Sequence, residues 1–143
     1  MLRKILLAKI HRATVTYCDL HYVGSITIDS DLLAASGIRP NEAVQVLDLD
    51  NGARFETYAI AGEAGSGTIG INGAAAHLTA VGHRVIVIAY GYLEPTELDR
   101  HQATVVLVAA GNRIHDVRRT ASTLAAAGEV QRVFENPPRV VLR

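Results

Sequence analysis

The sequence predicts a mainly β domain, and three observations carry that prediction. Short runs rich in apolar and β-branched residues recur through the first two-thirds of the chain. Asn51-Gly52 separates two such runs, and Asn-Gly is the strongest short-range signal for a β-hairpin. Because only one or two short segments have helical spacing, a closed β-barrel is favoured over a layered α/β sheet.

The first elements follow from local patterns. Residues 5–16 and residues 22–28 are apolar and β-branched, which predicts two strands. Asp29 is a good helix N-cap, and Gly37 is a natural helix stop, so a short helix is expected between them.

The middle of the chain contains the predicted hairpin and further strands. Residues 43–49 and 53–60 flank the turn at Asp50-Asn51-Gly52. Residues 72–77 are predicted to form a turn that opens a short helix. Further strands are predicted at residues 68–71, 84–93 and 104–109, with a turn at Gly111-Asn112.

The C-terminal part has a different pattern, with apolar residues at helical spacing before a glycine. That spacing predicts an amphipathic helix, so we expect a C-terminal helical extension. The residues are Ile114, Val117, Ala121, Leu124 and Gly128. Asn136-Pro137-Pro138 then breaks the chain before a short apolar run.

Length and composition limit the possible classes of protein. A chain of 143 residues is expected to form a single domain, 1–143, and to hold a core without a metal or disulfide. Fourteen basic residues balance 14 acidic ones, which argues against a nucleic-acid binder. Cys18 is the only cysteine, and the six histidines are scattered, so no metal site is predicted. No apolar run approaches a membrane span, so we expect a soluble, cytoplasmic protein.

Lysine is rare in this chain, since 12 of the 14 basic residues are arginine. The simplest explanation is a compositional bias without functional meaning. Under such a bias, a lysine that arginine could replace would tend to be lost. Lys9 is therefore a weak candidate for a specific role, because lysine and arginine differ in geometry and in how readily the pKa shifts.

The common catalytic motifs are missing from this sequence, and four fragments remain as candidates for a functional site. They are Lys9-Ile10-His11, Tyr22-Val23-Gly24-Ser25, the segment from Arg54 to Tyr58, and Asn72-Gly73-Ala74-Ala75. Each fragment alone is more often structural than functional. Together, KIHRATVTYCDLHYVGS, GSITID, NGARFETYAI and INGAAAH resemble the aspartate 1-decarboxylase family. The resemblance is close to about Glu94, looser to Gly111, and unrecognisable from about His115, so residues 115–143 form a divergent tail.

The resemblance implies a double-psi β-barrel whose precursor cleaves itself between Gly24 and Ser25. It gives a β chain of residues 1–24 and an α chain of residues 25–143. The Ser25 hydroxyl attacks the preceding carbonyl, and elimination and hydrolysis then leave a covalent pyruvoyl group at residue 25. Glycine at position 24 can adopt a strained or positive-φ conformation that lets the hydroxyl reach its carbonyl. Thr57 resembles the family residue that assists cleavage at that carbonyl.

The implied reaction converts L-aspartate to β-alanine and CO2 through a substrate imine on the pyruvoyl group. Tyr58 resembles the family's proton donor, and a phenol is a plausible general acid. The substrate carboxylates need cations, for which Arg54 offers a bidentate fork and Lys9 a point charge. The substrate-binding set is completed by Thr57, Asn72, Gly73, Ala74 and Ala75, with His11 and Tyr22 in support.

Strand alternation tests whether these residues can meet. It places Arg54 and Tyr58 on one face and pairs Lys9 with His11, whereas Thr57 points to the opposite face from Tyr58. Asn72 and the backbone N–H groups of residues 73–75 are expected to form an anion-binding helix start. Either the strand bends at Thr57, or the site combines residues from two subunits.

The resemblance also implies a homotetramer with active sites between subunits, in pantothenate and coenzyme A biosynthesis. A maturation factor is a possible partner, whereas nucleic acid and membrane are not expected. Two alternatives remain open: a non-catalytic barrel for binding or assembly, since a fold does not fix function, and a pyruvoyl decarboxylase for another amino acid.

Overall fold

The computed structural model describes residues 1–124, which form nine strands and a few short helices. The strands are β1 (Arg3–Thr14), β2 (Tyr17–Asp19), β3 (Ser25–Asp29), β4 (Ala43–Asp48), β5 (Arg54–Gly62), β6 (Ile69–Asn72), β7 (Arg84–Leu93), β8 (Gln102–Ala109) and β9 (Arg113–Ala121). The α-helices are α1 (Ser30–Ser36) and α2 (Pro95–Leu98), and 3-10 helices cover Gly73–His77 and Ala110–Asn112.

The strands form one sheet in the order β2-β6-β3-β5-β4-β7-β1-β8-β9. Most neighbours are antiparallel, but β1 with β8, β2 with β6, and β3 with β5 are parallel. One face of the sheet forms the core, where Ile10, Ile26, Val46, Ile71 and Val87 are all 0% exposed. This mainly β architecture is consistent with the double-psi β-barrel that the sequence predicts.

The caps predicted for α1 are confirmed. The Asp29 carboxylate accepts a hydrogen bond from Asp31 N, and Gly37 ends the helix in the left-handed region at φ 78°. Asp29 is 3% exposed and also accepts hydrogen bonds from Gly65 N and Gly67 N. Burial opposes ionisation of this carboxyl, but the three N–H donors outweigh it and hold the pKa of Asp29 below its usual value.

The predicted hairpin is also confirmed, because β4 and β5 pair antiparallel around the turn at residues 50–52. The Asp48 side chain organises this turn by accepting hydrogen bonds from Asp50 N at 2.8 Å and Asn51 N at 3.2 Å. Gly52 has φ 76°, a left-handed conformation that the turn at residues 50–52 requires and that glycine adopts without steric cost.

The helix predicted from the apolar spacing that starts at Ile114 is wrong over residues 114–121, since Arg113–Ala121 forms β9. Two of its expected apolar anchors, Ile114 and Val117, are 42% and 37% exposed. The turn at Gly111 and Asn112 reverses the chain. The residues that follow then pair with the free edge of β8, from Ala109↔Arg113 to Gln102↔Ala121, because the backbone groups of that edge need partners. Gly128 and the break at residues 136–138 lie outside the described residues.

The strand predicted at residues 22–28 is shorter than expected and begins only at Ser25. The Asp19 carboxylate accepts a hydrogen bond from His21 N at 3.0 Å, which makes a turn immediately before this segment. Tyr22 and Val23 are exposed loop residues, at 53% and 72%. The loop therefore leads directly into the Gly24–Ser25 bond.

In residues 1–124 the longest α-helix has seven residues, and none is long and apolar enough to cross a membrane.

Candidate active site

Ser25 is buried at the start of β3 and is held by Asn72. The two residues are directly opposed in the antiparallel pairing of β3 with β6, and they are 1% and 2% exposed. Asn72 Nδ2 donates a hydrogen bond to Ser25 Oγ at 2.9 Å, and Ser25 Oγ donates to the Val23 carbonyl at 3.3 Å. The hydroxyl is therefore fixed on two sides in a site from which water is largely excluded.

The backbone of Gly73 lies against the backbone of Gly24. A β-carbon built on Gly73 would lie 2.7 Å from Gly24 Cα, 2.9 Å from Gly24 N and 3.1 Å from the Tyr22 carbonyl oxygen. Gly73 also has φ +75°. Only glycine satisfies both conditions here, so this residue sets how closely the Asn72–Gly73 turn approaches the bond before Ser25.

Of the two conformations expected for Gly24, strained or positive-φ, the positive φ is wrong. Gly24 is not among the positive-φ glycines, and a β-carbon on it would meet only the Asn72 carbonyl oxygen, at an ordinary 3.9 Å. The conformational freedom of glycine is used at Gly73 instead. Gly24 lies in a bend of the chain immediately before β3, which begins at Ser25.

The two β5 residues predicted for processing and proton donation lie on opposite faces of the sheet. Thr57 pairs with Val44 and shares the core face with Phe55 and Ala59, whereas Tyr58 pairs with Ala43 on the outer face. The pairing of β4 with β5 has no register shift, so the strand does not bulge at this point. The first of the two explanations, a bend at Thr57, is therefore not supported.

Arg54 lies at the start of β5, on the same outer face as Tyr58. The Arg54 side chain is exposed, and its Nη1 donates a hydrogen bond to Gln45 Oε1 at 2.8 Å. Arg54 and Tyr58 are four positions apart in the strand, which puts their Cα atoms about 13 Å apart at the usual rise per residue.

Lys9 and His11 lie together on the outer face of β1, as predicted. Lys9 is opposite Ile88 and His11 opposite Ile86, on strand β7. Burial lowers the pKa of Lys9 from its usual 10.5. Burial, followed by the nearby charges of Lys9 and Arg12, lowers the pKa of His11 to about 4, so this imidazole is neutral at pH 7.

The register places nearly all predicted side chains on one continuous outer face. His11, Ile86, Leu47 and Arg54 form one row across four strands. Ile26 pairs with Ala59, so Ser25 lies one position before this pair, beside Tyr58. Lys9 is four strands away from Ser25, however, or about 19 Å along the sheet.

The residues Gly73, Ala74 and Ala75 open a 3-10 helix, as the sequence predicts. The expected contribution of Asn72 differs, because its side chain makes no capping hydrogen bond to this helix and contacts Ser25 instead. Gly73 is buried, whereas Ala74 is exposed. Anion binding by the three backbone N–H groups stays a prediction.

Sequence reasoning missed Thr27, whose Oγ1 accepts a second hydrogen bond from Asn72 Nδ2, at 3.0 Å. Thr27 lies two residues after Ser25 on the same strand, so period-2 alternation puts both side chains on one face. That signal was present in the sequence. The position of Asn72 between the two hydroxyls was not, because it depends on the pairing of β3 with β6.

In the described part of the chain, one group of possible metal ligands comes together, at Asp48, Asp50 and His83. Asp48 Oδ2 accepts hydrogen bonds from Thr79 Oγ1 and pairs with His83 Nδ1, both at 2.7 Å. With its other oxygen bonded to the turn backbone, Asp48 is fully used in connecting the β4–β5 turn to the loop before β7. We therefore interpret this group as structural.

The sequence also matches a known protein family. A family model described as aspartate decarboxylase matches residues 1–115, which include Lys9, Ser25, Tyr58 and Asn72. The match ends where the resemblance in the sequence fades, near His115. This chain belongs to the aspartate decarboxylase family.

Proposed function

We propose that this chain is the self-cleaving precursor of a pyruvoyl-dependent L-aspartate 1-decarboxylase. The observation that carries the proposal is the environment of Ser25, a buried hydroxyl held between the Asn72 amide and the Val23 carbonyl. Membership of the aspartate decarboxylase family favours an enzyme over a non-catalytic barrel. The product β-alanine would serve pantothenate and coenzyme A synthesis in the cytoplasm.

The proposed cleavage begins with attack of Ser25 Oγ on the Gly24 carbonyl carbon, which converts the amide to an ester. Elimination then releases a chain that ends at Gly24, and hydrolysis of the remaining dehydroalanine gives the pyruvoyl group and ammonia. In the precursor, Asn72 donates a hydrogen bond to Ser25 Oγ, and the Ser25 hydroxyl donates one to the Val23 carbonyl oxygen. Thr57 is proposed to donate to the Gly24 carbonyl, where one preorganised donor can contribute about 3 kcal/mol.

The residues around position 25 fit a pyruvoyl group. Elimination removes Ser25 Oγ with the Gly24 carboxylate, so the Asn72 N–H that this oxygen accepts in the precursor would become available to a carbonyl oxygen of the group, and Gly73 lacks the β-carbon that would collide with Gly24. When present, the group supplies carbonyls that accept the electrons released as CO2 leaves. A domain cleaved into chains 1–24 and 25–143 is compatible with this burial.

The substrate carboxylates are proposed to bind Lys9 and Arg54. Lys9 is partly buried, and burial lowers its pKa. A substrate carboxylate would offset that loss of hydration, so Lys9 gains more from an anion than an exposed lysine does. Neutral His11 supports Lys9 without adding charge. Residues 72–75 and Tyr22 are proposed to complete the pocket, and Tyr58 to return the proton to the α-carbon.

The separation of the candidate residues along the sheet supports a site shared between subunits of a homotetramer. Lys9 and Ser25 lie on the same outer face but about 19 Å apart along the sheet. The family resemblance places active sites between subunits, and a second chain docked on this face would bring its Lys9 to the first chain's Ser25. Assembly is therefore part of the proposal.

Denaturing mass spectrometry and a β-alanine assay test the proposal together. Mature protein should contain residues 1–24 and a blocked chain from residue 25. Ser25→Ala should abolish both cleavage and activity, whereas Tyr58→Phe should cleave normally and lose turnover. Tyr92→Phe, at a tyrosine 65% exposed on β7, is the matched control. Active enzyme with an intact Gly24–Ser25 bond would contradict the mechanism.

Complementation tests the shared site. Lys9→Gln and Ser25→Ala should each be inactive alone. When co-expressed, some mixed oligomers will combine an intact Lys9 with an intact Ser25 from another chain and should recover activity. No recovery, in oligomers shown to contain both variants, would mean that each chain uses its own Lys9.

A further inference from the structure

The Asn72 side-chain amide donates two hydrogen bonds, and only one of the two acceptors, Ser25, takes part in the proposed chemistry. Asn72 Nδ2 donates to Ser25 Oγ at 2.9 Å and to Thr27 Oγ1 at 3.0 Å. An amide –NH2 carries two hydrogens, so the two hydroxyls together use both. Since Asn72 is 2% exposed, a missing partner could not easily be replaced by water.

The structure also fixes which way the Thr27 hydroxyl points. Thr27 is on β3, between β5 on one side and β6 on the other. A β-carbon placed on Gly62 of β5 would lie 3.1 Å from Thr27 Cγ2, so the methyl packs against the Gly62 backbone. The hydroxyl is thereby left facing Asn72 on β6. A β-branched side chain has few rotamers, so this arrangement is stiff.

The residue opposite Thr27 on β6 leaves room for the hydrogen bond between Thr27 and Asn72. Thr27 pairs with Gly70, which has no side chain, and the Tyr17 ring covers that position. A β-carbon on Gly70 would overlap the Tyr17 ring at Cζ. The ring therefore shields the strand beside the Thr27–Asn72 hydrogen bond from solvent.

From this geometry we infer that Thr27 is a positioning residue: its hydroxyl holds the Asn72 amide so that the second N–H points at Ser25 Oγ. Thr27 does not touch the scissile bond and acts only through Asn72. The consequence for cleavage rests on the function proposed above. The contact itself does not, so it can be tested separately.

Cleavage is the first test. Thr27→Val keeps the packing methyl and removes the acceptor, so the precursor should cleave about tenfold more slowly, a change of about 1.4 kcal/mol in activation free energy. Thr27→Ser keeps the acceptor and should stay within about threefold of the parent, as expected for a weaker hold on the rotamer. Thr104→Val on β8 is the same chemical change far from Ser25 and should have no effect.

A double mutant separates positioning from an independent effect. If Thr27 acts through Asn72, Thr27→Val should slow an Asn72→Ala precursor no further. Equal slowing in both backgrounds would overturn the inference, as would a parental rate for Thr27→Val alone.

The second test does not need cleavage. In Ser25→Ala protein, which stays intact, the side-chain N–H signals of Asn72 in ¹⁵N NMR should exchange slowly with solvent. They should exchange at least about tenfold faster after Thr27→Val, but not after Thr27→Ser. Unchanged exchange would overturn the inference. If the parent chain never cleaves, the proposed function fails, but this comparison still decides the role of Thr27.

Discussion

Replacing Gly73 by alanine tests whether its close approach to Gly24 is needed for cleavage. The new β-carbon would lie 2.7 Å from Gly24 Cα. Carbon atoms normally pack at about 3.5–4.0 Å, so one backbone must move by about 0.8 Å or more. The neighbouring contacts are backbone atoms of Gly24 and Tyr22, which cannot rotate away as a flexible side chain could.

Two separate costs follow, and one control distinguishes them. At φ +75°, an L residue costs about 1–2 kcal/mol through backbone strain alone. Gly82→Ala has a comparable backbone cost, because Gly82 also has a positive φ, +89°, but nothing lies within 4 Å of its β-carbon. The difference between the two variants therefore reports the displacement of Gly24.

We expect Gly73→Ala to cleave at least about 100-fold more slowly than Gly82→Ala, since a misplacement of about 1 Å can cost that much. Cell-free synthesis followed by denaturing mass spectrometry gives the cleavage time course, and thermal unfolding confirms that both variants fold. If folded Gly73→Ala cleaves as fast as Gly82→Ala, the approach of Gly73 to Gly24 has no part in processing.

The remaining predictions concern stability. Asn112 is 4% exposed, and its side chain forms hydrogen bonds of 2.7–2.8 Å with Thr14 N, the Thr14 carbonyl and the Gly67 carbonyl. Asn112→Ala should therefore lower the free energy of unfolding by about 2–4 kcal/mol. Urea titration measures this loss. Asn41→Ala, at an exposed residue with φ 71°, controls for backbone strain, and an equal loss there would contradict the account. The hydrogen bond that His83 donates to the Asp48 carboxylate raises the pKa of His83 above 6.5. The stabilisation that His83 adds over His83→Asn should therefore be full below pH 6.5 and disappear as pH rises through the raised pKa. A difference between the two proteins that does not change with pH would show that the pair is not charged.

The low-pH side of this comparison has a different cause. Burial of Asp48 opposes its ionisation, but hydrogen bonds from His83, Thr79 and the turn backbone outweigh that effect and lower the pKa of Asp48 below 3.8. The stabilisation from the ionised Asp48 is therefore present above that value and is lost as pH falls through the lowered pKa.

Local signals in the sequence were enough for much of the fold. Asp29 and Gly37 mark the two ends of α1, and Asn51-Gly52 lies at the β4–β5 turn. These features could be predicted because caps and turns depend on the few residues that form them. The same reasoning failed at residues 114–121. Apolar spacing there matched a helix, but the free edge of β8 was a stronger determinant, and no local pattern reveals which strand has a free edge.

The chemical identity of the candidate site also came from the sequence. The blocks around Ser25, Tyr58 and Gly73, in order, identified the family over the part of the chain that its model matches. Residue types and spacing were sufficient because a family resemblance depends on the order of residues along the chain and not on their positions in space.

Only the tertiary structure decided which atoms meet. The opposition of Asn72 to Ser25, the contact of Gly73 with Gly24 and the second acceptor at Thr27 arise from the pairing of β3 with β6. Strand register joins residues more than 40 positions apart, and a shift of one residue would turn every side chain to the other face. The sequence could therefore indicate the proposed reacting groups, whereas their geometry depended on the folded sheet.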